Sequence, residues 1–238
     1  ILGETLREIA VEKAGAMKLN VPCLSAKQKQ EVASALQSEA VRKGTPLLFL
    51  NGEKRAQINV NIPGEKQKEN TELALSVLEH LNGFTIQDSA IRDGLKTVQW
   101  HGRNQMLQEN PPVIFDVAHN AEGLRYFLDY YKSLKILGKS TMVLSLHLRK
   151  KIQDIVPQLE SVFQHIICTE TGGRNPMPAD ILGAHFRLEH SVEIINDSRV
   201  AIRKALEDLS EDDGMAILGT HCFGPMVNEI FKISFDNL

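Results

Sequence analysis

Short apolar runs recur through the second half of the sequence, at 112–117, 141–147, 165–170, 191–195 and 215–219. Each gives way to a stretch whose apolar residues have helical spacing, at 121–133, 154–164, 179–184, 196–208 and 223–231. Apolar runs this short and this continuous suit strands covered on both faces, and strands that alternate with helices are joined by crossovers that make them parallel. The second half is therefore expected to form a parallel sheet flanked by helices. Pro157 falls in the first turn of its helix, where a missing N–H costs little.

The first half shows the same rhythm more weakly. Thr5 to Ala14 reads as a helix, opened by a T-x-x-E capping box (Thr5 and Glu8) and stopped by Gly15. Leu6, Ile9 and Ala10 share one face, and Lys13 extends that stripe. A strand in "VPCLSA", a polar helix from about Ala26 to Lys43 stopped by Gly44, and a strand in "PLLFL" follow. The stretch "NGEKRAQINVNIPGE" has a turn and then alternating strand character. Asn70 to Leu81 is an amphipathic helix, and "TIQDSAIRDGLKTV" a short one. A change of domain is expected near 94–99, giving domains 1–94 and 95–238.

"IFDVAHNAEG", Ile114 to Gly123, is the most pointed stretch. Its apolar lead-in ends on Asp116 and is followed by His119-Asn120 beside a helix. That is a strand whose carboxyl end delivers polar groups, the place where open α/β sheets bind ligands. No G-x-x-x-x-G-K-[ST] loop and no G-x-G-x-x-G after a strand occur in the chain, which disfavours a dehydrogenase. The net charge of −3, without a basic block, argues against a nucleic-acid partner. No apolar run approaches membrane-spanning length, and Cys23, Cys168 and Cys222 are far apart, as in a reduced, cytoplasmic protein. The chain opens on "ILGETLREIA", without an initiator methionine or a leading strand, and is expected to be a fragment of a longer protein.

Four pieces, "TLREIAVEKAGAMK" at 5–18, "PGEKQKEN" at 63–70, "WHGRNQ" at 100–105 and "FDVAHNAEG" at 115–123, together resemble the folylpolyglutamate synthase / dihydrofolate synthase family of the Mur ligase superfamily. The corresponding family pieces read roughly I-A-x-E-K-A-G-I-x-K, G-x-[HY]-Q-x-x-N, W-P-G-R and D-G-A-H-N, in the same order. The resemblance implies an α/β fold: part of a P-loop-type central ATPase domain followed by a Rossmann-like C-terminal Mur ligase domain. The P-loop, and the Glu and His that hold magnesium, would lie upstream of residue 1. The implied chemistry is ATP-dependent amide formation, with ATP and Mg2+ as cofactors. ATP phosphorylates a folate or dihydropteroate carboxylate, and the amine of L-glutamate attacks the acyl phosphate. The implied enzyme belongs to folate biosynthesis and one-carbon metabolism, and is a monomer when full length.

The same resemblance assigns roles residue by residue. Lys13 matches the carbamylated lysine of E-K-A-G, whose anionic form helps hold a metal; by itself it is also a favourable helix C-terminal lysine. Asn70, Arg103 and Asp116 match residues that contact ATP near the base, on the phosphates and on the ribose side. Read as ordinary residues, Asn70 is a helix N-cap, Arg103 a surface charge, and Asp116 a cap for the helix starting near Ala121. His119 and Asn120 match the family's H-N, which places His119 near the reacting carboxyl or the incoming glutamate. Thr220, in "ILGTHCFG", stands where the family often has Ser near the glutamate site. The chain departs from the pattern at Lys66, at His101, in "LHLRKKI" (146–152, in place of Asp-Lys-Asp) and in "RNPMP". The last two bear on the amino-acid side of the cleft. The competing function is a P-loop-less module that binds a nucleotide or a partner without catalysis.

Overall fold

A computed structural model describes residue 3 and residues 5–50, 59–187 and 191–233. The chain divides into two compact units. One comprises Ile1–Val60 and Lys66–Thr97, the other Asn61–Glu65 and Val98–Leu238.

In the first unit, α1 (Leu6–Lys13) opens on the expected capping box. The Thr5 hydroxyl accepts from the Glu8 N–H, and the Glu8 carboxylate accepts from the Thr5 N–H, both at 3.2 Å. Gly15 does not stop the helix by turning left-handed. The chain tightens into a 3-10 turn, Ala14–Ala16, and the Lys43 ammonium donates to the carbonyls of Ala14 and Gly15 at 2.8 and 3.0 Å. β1 (Cys23–Ser25), α2 (Gln30–Lys43) and β2 (Leu47–Phe49) follow, with the two strands paired in parallel. Gly44 ends α2 at φ 63°. The core is small: Ala10, Ala14, Met17, Ala35, Leu36 and Ala40.

α3 spans Glu65–Glu79, starting five residues before the expected Asn70. Its first turn, "EKQKEN", is polar, so apolar periodicity could not find it. Asn70 is therefore inside the helix and is not its N-cap. α4 covers Asp88–Thr97. Of the stretch "NGEKRAQINVNIPGE", expected to turn and then alternate as a strand, residues 51–58 lie outside the described residues, and the described 59–64 form bends and no strand.

The second unit holds β3 (Gln105–Gln108), β4 (Val113–Asp116), α5 (Ala121–Ser133), β5 (Ser140–Leu144), α6 (Val156–Glu160), β6 (His165–Glu170), α7 (Ala179–Gly183), β7 (Ser191–Asp197), α8 (Ser198–Glu207), β8 (Gly214–Leu218), a 3-10 turn at His221–Phe223 and α9 (Gly224–Phe231). The sheet order is β3-β4-β8-β5-β6-β7, parallel except for β3. β3 is the element that pattern reading missed. "QMLQ" on an edge strand carries no continuous apolar run.

The apolar runs alternate between two cores. Ile114, Met142, Leu144, Ile166, Cys168, Ala216 and Leu218 pack on the face covered by α5, α6 and α7. Val113, Phe115, Val143, Ile167, Met215 and Ile217 pack on the face covered by α8 and α9. Both faces being dry is why these strands read as unbroken apolar segments.

Candidate active site

β4 and β8 are neighbours, yet the helices that follow them leave to opposite faces. α5 buries Leu124, Phe127, Leu128 and Tyr131 in one core, and α9 buries Met226 and Val227 in the other. Where successive connections part in this way, a crevice opens beyond the carboxyl ends of the strands. A cleft of about 490 Å³ sits there, lined by His119 after β4, by Gly219, Thr220, His221 and Cys222 after β8, and by loops after β5 and β6.

The turn after β8 is tightly constrained. Gly219 adopts φ +111°, and a Cβ on it would strike the Ser145 carbonyl oxygen, so only glycine fits. Its N–H donates to the Asp116 carbonyl at 3.3 Å, joining the ends of β4 and β8. Thr220 caps the next turn, its hydroxyl accepting from the Cys222 N–H at 3.1 Å.

The loops after β5 and β6 zip together across the cleft. His147 bridges Pro176, the Leu148 N–H donates to Asn175 at 3.1 Å, and the Met177 N–H donates to Leu146 at 2.7 Å. This lip presents Arg149, Lys150 and Arg174 to the cleft, whose lining also includes His119, His147 and His221 and, among the described residues, contains no carboxylate. An anion is the ligand such a lining selects. The two departures in "LHLRKKI" and "RNPMP" thus meet in one place. Their basic residues were visible in the sequence as loop charges after apolar runs, but nothing in the spacing said that the two loops converge.

His119 is half-buried, and its Nδ1 lies 2.9 Å from the Val117 carbonyl. That carbonyl can only accept, so Nδ1 carries the proton and Nε2 keeps its lone pair in the neutral ring. Burial holds the His119 pKa below the ordinary histidine value. The Val117 bond opposes this, and the charges of Lys150, Arg103 and His221 reinforce it.

Asp116 is 6% exposed. Its two carboxylate oxygens accept from the N–H groups of Asn104 and Ala118, each at 2.7 Å. Burial pushes its pKa up, partly offset by those two bonds and by the Arg103 charge. It does not cap α5. Asn120 does, its side-chain oxygen accepting from the Gly123 N–H at 2.8 Å. Arg103 is half-buried, and its charge reaches both Asp116 and His119.

Of the residues singled out from sequence, His119 and Thr220 share the cleft, Asp116 is the last residue of β4, and Arg103 and Asn120 stand on loops beside it. Lys13 and Asn70 belong to the other unit. Lys13 is exposed in the last turn of α1, and the exposed Asn70 donates to the Gln67 side chain at 3.2 Å. Among the described residues, no group of three or more His, Cys, Asp or Glu side chains could hold a metal ion, so no metal ligand set is assigned to these residues. No described helix is long and apolar enough to cross a membrane.

The family profile described as "Mur ligase, glutamate ligase domain" matches residues 102–221, half of the chain and all of the named cleft lining except Cys222. A Bacillus subtilis dihydrofolate synthase/folylpolyglutamate synthase is 30% identical over 187 residues, covering 68% of this chain and 44% of that protein. The chain belongs to the folylpolyglutamate synthase / dihydrofolate synthase family of Mur ligases. Among solved structures of these Mur ligases, Mycobacterium tuberculosis folylpolyglutamate synthase, complexed with ADP, superposes with a TM-score of 0.85 at 23% identity. It covers 98% of this chain and 61% of that one. A bifunctional folylpolyglutamate synthase/dihydrofolate synthase from Yersinia pestis, complexed with AMPPNP and Mn ion, gives 0.82 at 23% identity, covering 98% and 58%. The chain spans about half the length of the curated relatives it matches.

Proposed function

We propose that this chain supplies the amino-acid side of an ATP-dependent ligase that joins L-glutamate to the carboxylate of a folate or dihydropteroate. The observation that carries the reading is the cleft with Arg149, Lys150 and Arg174 on its lip, no carboxylate among the described residues of its lining, and His119 at its edge. ATP would supply the phosphoryl group that turns the acceptor carboxylate into an acyl phosphate, a far better acyl donor. The cations suit both the carboxylates of glutamate and the charge that develops as phosphate leaves. Cations crowding the cleft also disfavour an ammonium there, which favours the neutral, nucleophilic amine.

In the second step the glutamate nitrogen forms the amide bond to the acyl carbon, the acyl carbon–oxygen bond to phosphate breaks, and the amine loses a proton. His119 is suited to take that proton. Its ring is neutral near pH 7, and its Nδ1–H is committed to Val117, leaving Nε2 as the base. Arg103 suits the nucleotide phosphates. Asp116, with both oxygens engaged by backbone, holds the Arg103 loop against β4 as well as facing the ribose side. Asn70 near the base, Lys13 as a carbamate beside the magnesium, and Asn120 and Thr220 near glutamate complete the assignment. Domains 1–94 and 95–238 are assigned as the ATPase remainder and the ligase domain.

The lip is tested by measuring both KM values in the complete gene product containing these residues. Arg174→Ala and Lys150→Ala should each raise the KM for glutamate roughly tenfold or more, the cost of one charged hydrogen bond, and leave the KM for ATP near the parent value. An unchanged glutamate KM in both variants would remove the cleft from amino-acid binding.

A further inference from the structure

Asn104 follows Arg103 and has been given no role. It is 6% exposed and, at φ 45°, is one of the few non-glycine residues with a left-handed backbone. Holding that conformation in a buried loop is unfavourable unless the surroundings fix it. Its backbone N–H donates to Asp116 at 2.7 Å, and its side-chain Nδ2 donates to the Pro63 carbonyl at 2.8 Å. Pro63 belongs to Asn61–Glu65, which lies in the same compact unit and runs directly into α3. Gly64, at φ +108°, lets that segment approach, since a Cβ there would lie 2.6 Å from Asn104 Nδ2. A second amide, Asn61 Nδ2, donates to the Val98 carbonyl at 3.2 Å. The other side of the Arg103 loop is fixed too. The Gly102 N–H donates to the Gln105 side chain at 2.9 Å, and the Val117 N–H donates to the Gly102 carbonyl at 3.0 Å.

We infer that Asn104 is a positioning residue: it pins the 61–65 segment to the Arg103 loop, and this pin sets where the Arg103 guanidinium meets the nucleotide. Its side chain touches neither substrate nor nucleotide and acts through Arg103. The consequence for nucleotide binding rests on the reading above that Arg103 contacts the phosphates.

The test uses the complete gene product and a double-mutant cycle. Asn104→Gly keeps the left-handed backbone and removes the amide. Gly64→Ala attacks the same contact from the other side and stands in should the first variant fail to fold. Each should raise the KM for ATP roughly three- to tenfold, the cost of losing one buried hydrogen bond, with kcat within twofold of the parent. In an Arg103→Ala background the added effect should vanish, because the pin acts through that guanidinium. A parent-like KM for ATP in both folded variants, or an equal effect with and without Arg103, overturns the inference. If Arg103→Ala alone leaves the KM for ATP unchanged, the nucleotide-site reading fails, and the inference fails with it. If Arg103→Ala raises the KM and the Asn104 and Gly64 variants do not, only the pin is wrong.

Discussion

At the scale of single residues, the proposed ligation turns on His119 being neutral when the amine must lose its proton. Burial and neighbouring cations lower its pKa, so the neutral base persists below the ordinary histidine value of about 6.5. The acidic limb of the kcat–pH profile of the complete gene product should therefore fall below pH 6.5. A limb at or above that value would take His119 out of the base role. The sign for stability is the same. Between the lowered native pKa and the unfolded value, the unfolded chain binds more protons, so His119 makes the fold less stable as pH falls below about 6.5. Asp116 carries a different prediction. In Asp116→Asn one of the two backbone N–H groups, of Asn104 or Ala118, must face an NH2 donor instead of an oxygen. About 1–3 kcal/mol of stability should be lost, read as a lower denaturation midpoint with an unchanged slope. Lys13 is tested by Lys13→Ala, which should abolish ligation, with short carboxylic acids restoring part of it. Undiminished turnover would exclude Lys13 from the mechanism.

At the scale of elements, the turn after β8 is held by a position that only glycine fits. Gly219→Ala must both leave φ +111° and push against Ser145, whose own N–H donates to Leu218 at 3.1 Å. A loss of about 2 kcal/mol or more is expected, with the glutamate KM raised because Thr220 and His221 shift together. A parent-like midpoint would show that the turn relaxes freely. This turn also shows what a sequence can and cannot reveal. The strands β4, β5, β6 and β8 were legible because dryness on both faces leaves an unbroken apolar run, and Asp116 at the end of one such run marked the sheet edge where the cleft lies. β3 was not legible, since an edge strand can be as polar as "QMLQ". The start of α3 was hidden by its polar first turn, and Asn120 was overlooked as the cap of α5. The cationic lip was invisible for a different reason. It depends on two loops, 146–150 and 174–177, being laced across space, and no local spacing encodes that pairing.

At the scale of the whole molecule, the two units differ in what holds them. Among the described residues, the core of the first is built largely from alanines, with two paired strands that are marginal by themselves. The second buries large side chains such as Phe115, Phe127, Tyr131 and Phe163 on both sides of its sheet. With only these 238 residues present, residues 1–94 should be cleaved by limited proteolysis before residues 95–238, and equal resistance would contradict this. The 238 residues also contain no phosphate-cradle motif, and such a cradle normally supplies several N–H donors and a lysine. Produced alone, they should neither hydrolyse ATP nor ligate glutamate. The most direct test of the central claim is glutamate incorporation by the complete gene product, supplied with ATP, magnesium and a folate or dihydropteroate acceptor. The account predicts one glutamyl unit added per phosphate released, with the rate falling roughly a hundredfold or more in His119→Ala. No incorporation into either acceptor, or a His119→Ala variant that works at the parent rate, would contradict it.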